Sequence, residues 1–91
     1  MASDIVDIID VEVLHDRVVR LTFETSEVRD IDLAPLLWGP AFAALEDDEV
    51  FRQVRVDPDA GTIVWPNGAD LSAYTLYQQS TPAAGRRAVE F

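Results

Sequence analysis

The stretch GTIVWPNGADL, Gly61 to Leu71, sets a continuous apolar run directly against a forced turn. Thr62 to Trp65 reads as a strand, and its unbroken apolarity predicts cover on both faces. Pro66 cannot donate to a sheet ladder, and Asn67-Gly68 tolerates left-handed backbone, so the strand must stop there. Just upstream, DPDAG (Asp57 to Gly61) is a second turn signal, because proline presets the first turn dihedral and glycine accepts positive φ. The strand is therefore one arm of a hairpin. Its other arm is FRQVRV, Phe51 to Val56, with Val54 and Val56 inward and Gln53 and Arg55 outward.

Working outward, Val11 and Val13 alternate with Glu12, the period of a strand with one wet face. Val19, Leu21 and Phe23 alternate with Arg20, Thr22 and Glu24 after the polar break His15-Asp16-Arg17. Beyond Thr25-Ser26-Glu27, Ile31 and Leu33 share one face while Asp30 and Asp32 share the other. These three strands predict an antiparallel meander. Pro40 suits a helix first turn, where its missing N–H would be unpartnered anyway, so Ala41 to Leu45 is expected to be a short helix. Acids are unfavourable at a helix C-terminus, which assigns Asp47, Asp48 and Glu49 to the following loop or element. Asp70 or Ser72 can cap a helix through AYTLYQQ. The expected architecture is α+β: an antiparallel five-stranded sheet (three-stranded meander, short helix, hairpin) with short helices packed on it. It forms one domain over residues 1–79, followed by a C-terminal tail over 80–91.

The chain has 91 residues, enough for one core, and 48% of them are hydrophobic. No cysteine is present, which excludes disulfides and thiolate–metal sites. The N-terminus MASDIVDIID lacks a basic segment and an uninterrupted apolar run, so neither a secretory signal nor a membrane span is expected, and a cytoplasmic setting is. Seventeen acids face seven bases, all of them arginine, for a net charge of −10. Such a surface repels phosphate backbones and anionic membranes, and it suits a basic partner or plain solubility.

No catalytic or cofactor site emerges from spacing. His15, the single histidine, falls in a hairpin turn with no nucleophile placed beside it. GPAFAAL and PNGADL lack the spaced glycines and lysine of a phosphate loop. DPDAG shares two acids with a calcium loop, but its glycine comes early and the later bidentate acid is missing, so a turn is the better reading. Asp30 and Asp32 read as a charged outer sheet face rather than an acid/base pair. Trp38 and Trp65 read as core packing rather than ligand stacking. Arg86 and Arg87 suit a contact patch or a frayed tail equally.

Taken together, LLWGPAFAAL, VFRQVRVDPDAGTIVWPNGADL and LY resemble the bacterial family called domain of unknown function 2442, over roughly Val11 to Tyr77. The resemblance implies a small α+β domain. Some members of that family carry a C-terminal helix-turn-helix domain, and others look like antitoxin partners of a small protein encoded beside them. No catalytic residues are established for it, so none is carried over. Two departures stand out. The family often has Asp-Gly between the second and third strands, where this chain has Glu24-Thr25-Ser26, and Pro-Glu where it has Ala73-Tyr74. With no room left for a helix-turn-helix domain, direct operator binding is not implied.

The functional expectation is a non-enzymatic protein-interaction module, antitoxin-like or adaptor-like, whose partner is basic and encoded nearby. Asp30, Asp32, Asp47, Asp48, Glu49, Arg86 and Arg87 are the candidate contacts. Gly61, Trp65, Pro66, Asn67, Gly68 and Asp70 form the structural motif. The alternative is a small-ligand sensor with Trp38 and Trp65 near one pocket.

Overall fold

The computed structural model describes residues 7–83. Strands β1 (Ile8–His15), β2 (Val18–Phe23) and β3 (Val28–Asp32) form the expected antiparallel meander. Alternation works as read: Val19, Leu21, Phe23 and Ile31 are buried, while Arg20, Thr22 and Asp30 lie on the other face. A 3-10 turn at Ala34–Leu36 and a 3-10 helix at Pro40–Glu46 follow, the latter opening with Pro40 in its first turn. In a 3-10 helix residues three apart eclipse, which turns Phe42 and Leu45 toward the core together.

The rest of the sheet corrects the expectation of five strands in one layer. β4 (Arg55–Asp57) and β5 (Thr62–Val64) make a separate two-stranded sheet, while a short β6 (Thr81–Pro82) adds to β3, giving the order β1-β2-β3-β6. A backbone bond from Ile8 N–H to Gly61 C=O (2.9 Å) ties the hairpin to β1. The register of β1 slips between Ile8 and Asp10, and a bulge there bends the strand and raises its twist. The hairpin therefore packs against β1 instead of continuing its ladder. Ser80 and Ala83 are buried, so the domain runs past the expected boundary at 79.

Two further elements differ from their reading. Phe51 is not a strand residue but closes α1 (Asp48–Phe51), whose N-cap Asp47 accepts from the Glu49 N–H at 2.8 Å. Acids in a first turn are favourable, which is why Asp47-Asp48-Glu49 starts a helix after failing to end one. The second helix, α2 (Ala73–Gln79), is capped by Ser72. The core gathers Ile8, Phe23, Leu33, Leu45, Phe51, Ile63, Trp65 and Leu76 from nearly every element.

Gly61 holds φ +72° beneath the Asp57 turn, and a Cβ there would meet the Asp7 carboxyl at 2.5 Å. At the departure from the family turn, Ser26 takes φ +77°. A side chain at such a φ costs roughly 1–2 kcal/mol, partly offset for glycine by its freer unfolded chain. Ser26→Gly is expected to stabilise the domain by about 0.5–1 kcal/mol, read as a higher urea midpoint. A lower midpoint would mean that the serine hydroxyl supports the turn.

Candidate functional site

The turn in the opening stretch places two surface elements side by side. Trp65 N–H donates to Ala69 C=O (2.9 Å) and Gly68 N–H to Trp65 C=O (2.9 Å), closing the Pro66–Gly68 turn. Asn67 accepts from the Ala69 N–H (3.0 Å) and donates to Ala41 C=O (3.3 Å), joining this turn to the 3-10 helix. Asp70 then bridges back to Val64, and the Thr62 hydroxyl donates to Leu71 C=O at 2.5 Å. A groove of about 470 Å³ lies between these elements, lined by Leu36, Trp38, Pro40, Phe42 and Leu71 among others.

Trp38 is the outstanding residue of that groove. It is 76% exposed, which overturns its reading as core packing. Its segment lies between two helical turns, with Pro35 before it and Gly39 after it at φ +93°. Trp65, in contrast, is fully buried, with its indole N–H on Phe51 C=O at 2.9 Å. The two tryptophans therefore do not share a pocket, and the ligand-sensing arrangement expected around both is not formed.

Four of the five candidate acids have local partners. Asp30 receives Arg20 in two bonds, Nε at 2.8 Å and Nη2 at 3.0 Å, and this pairing raises the arginine pKa. Asp32 accepts from the Ala34 N–H (3.0 Å), Asp47 caps α1, and Asp48 pairs with Arg17 (2.8 Å). Asp47, Asp48 and Glu49 share one exposed turn, whereas Asp30 sits apart on β3. Arg86 and Arg87 lie outside the described residues. His15 is exposed in its turn beside Asp16 (3.3 Å). Among the described residues no three His, Asp or Glu side chains converge as metal ligands, and no helix is long and apolar enough to cross a membrane.

One polar cluster was not anticipated. Arg29 donates to the Ser80 hydroxyl (2.6 Å), Ser80 C=O (2.7 Å) and Glu27 (2.6 Å), with its guanidinium 4.5 Å above the Tyr77 ring. Tyr77 donates to the other Glu27 oxygen at 2.9 Å. The sequence did carry a signal. Alternation puts Arg29 on the face of Ile31, and an inward arginine requires a partner. Burial pushes the Glu27 carboxyl up, but the bonds from Arg29 and Tyr77 and the arginine charge outweigh it, leaving the pKa lowered. The bond to Glu27, then burial and the carboxylate charge, raise the Tyr77 phenol.

A pH prediction follows from these directions. The Glu27 contribution is complete above its unfolded pKa, about 4.3, and is lost as pH falls through the lower folded value. The Tyr77 contribution is complete below about 10 and is lost as pH rises through its higher folded value. Urea midpoints are expected to fall on both limbs. Glu27→Gln should flatten the acid limb and Tyr77→Phe the alkaline one, and unchanged limbs would remove the cluster from the stability balance.

No curated protein and no solved structure matches the chain. A family model described as a protein of unknown function, DUF2442, matches residues 8–82, a span that reaches from β1 through β6. The chain belongs to the DUF2442 family.

Proposed function

We propose that the domain is a non-enzymatic protein-interaction module that receives a small protein partner on the surface around Trp38. The observation that carries this reading is the exposed indole beside an apolar groove. Tryptophan is among the residues most enriched at binding hot spots, and an exposed indole continuous with an apolar groove forms the kind of patch that marks an interaction site. Pro40 fixes φ close to Trp38 and Asn67 bonds the Ala41 carbonyl, which limits the ordering entropy lost on binding.

The net charge of −10 supports a basic partner, as an antitoxin-like or adaptor role would require. The exposed turn at Asp47-Asp48-Glu49 is suited to steering such a partner, with apolar contacts at Trp38 supplying the lasting affinity. The test is capture by the tagged protein in its native cell, with co-expression of any small protein encoded next door. Trp38→Ala is expected to melt within about 1–2 °C of wild type, as surface changes usually do, and to lose the captured protein. Capture undiminished by Trp38→Ala would refute the reading. The groove also has the volume of a small-molecule site, so a melting shift with a metabolite but no captured protein would favour ligand sensing.

A further inference from the structure

Building on that reading of Trp38, we infer that the occupant is a short basic–apolar peptide segment of the partner. It places a large apolar side chain against Trp38 and an arginine or lysine beside Asp70. A second concavity, of about 380 Å³, adjoins the Trp38 groove, and Asp70, Leu71 and Ser72 line both. The two sides differ in chemistry. The Trp38 side is walled by Leu36, Pro40 and Phe42. The other side is lined by the exposed residues Asp7 and Asp70 and by Tyr74, which is 46% exposed.

No lysine or arginine among the described residues lines either side. Asp70 is exposed and makes no ion pair among those residues, unlike Asp30 and Asp48. An acidic peptide, a phosphate backbone or an anionic membrane would bring like charge to this rim. A cation would gain the carboxylates, with the Tyr74 side chain lining the same concavity. The shared wall is rigid, since Asp70 is bridged to Val64, Leu71 C=O is bonded to Thr62, and Ser72 caps α2. A peptide carrying apolar and cationic side chains in succession spans the two sides across that wall.

The experiment titrates the full chain with capped hexapeptides while following tryptophan emission, to which Trp38 contributes an exposed indole and Trp65 a buried one. One peptide carries two leucines followed by two arginines, a second has glutamates for the arginines, and a third has glycines for the leucines. The leucine–arginine peptide is expected to shift the emission and bind about 10-fold or more tightly than either control at low salt, with the gap over the glutamate peptide narrowing as salt rises. Asp70→Asn should weaken it about 5-fold, a typical loss for one partly exposed charge pair, without lowering the melting temperature. Trp38→Ala should abolish binding by calorimetry.

Equal affinity for all three peptides, or none at millimolar concentration, overturns the inference. Tighter binding of an octapeptide with the sequence of residues 84–91 also overturns it, making the occupant this chain's own terminal segment. If cellular capture needs Trp38 while Asp70→Asn and peptide charge change nothing, the interaction reading stands and the basic–apolar occupant falls. If capture ignores Trp38, the interaction reading itself falls.

Discussion

Trp65→Ala is expected to destabilise the domain by about 3–5 kcal/mol, the usual range for truncating a large core aromatic. The indole is fully buried, lies against Phe51 with ring centroids 5.8 Å apart, and bonds Phe51 C=O through its N–H. Truncation would open a cavity where α1, the hairpin and the Pro66–Gly68 turn meet, and would leave the Phe51 carbonyl with only the longer bond from the Val54 N–H (3.2 Å). Small domains have total stabilities near the low end of about 5–15 kcal/mol, so this variant should be largely unfolded at room temperature. Trp65→Phe keeps most of the volume and loses the indole donor, which separates the two effects at about 0.5–1.5 kcal/mol for one hydrogen bond. Urea unfolding by circular dichroism reads both. An alanine variant melting within a degree of wild type would mean that the site is not the centre of the core.

Arg29→Met is the second large effect, expected at about 2–4 kcal/mol from the loss of charge-assisted bonds and the polar groups stranded behind them. Methionine retains much of the stem that covers Tyr77, so the loss belongs to the guanidinium. Its bonds to Ser80 and Glu27 hold α2 and β6 against β3. Amide exchange should accordingly speed up most at Ala83, whose N–H bonds Val28 C=O, and least across β1 and β2. A double-mutant cycle with Glu27→Gln should show coupling of about 1 kcal/mol or more. Exchange that rises uniformly through the sheet would contradict a local clamp.

The meander was legible because its residues obey a strict period of two, from Val11 to Ile31. The turns were legible because Pro58 and Pro66 fix φ, while Gly61 and Gly68 admit the positive φ that the turns require. How strands assemble was not. Nothing in the three residues Thr62–Val64 says whether they extend the meander or form a separate sheet with β4. β6 was invisible because two residues, one of them proline, carry no periodicity, and its place depends on Arg29 reaching Ser80. Phe51 was misplaced because alternation across FRQVRV conceals a helix of a single turn. The groove could not be read either, since hydrophobicity argues for burying Trp38, which is exposed.

The pairing of β3 with β6 also fixes an order of events during synthesis. Strands β1 to β3 are joined by turns of a few residues, so the meander can close almost as soon as it is made. The clamp from Arg29 to Ser80 spans 51 positions, which at ribosomal speeds takes roughly 3–10 s to appear. Until then Val19, Leu21, Phe23 and Ile31 line a sheet face that lacks Leu76 and the rest of α2. Apolar surface left open in this way is the kind that aggregates between neighbouring nascent chains and that chaperones exist to cover. The length of this vulnerable interval is set by the position of β6 in the chain, whatever the stability of the finished fold.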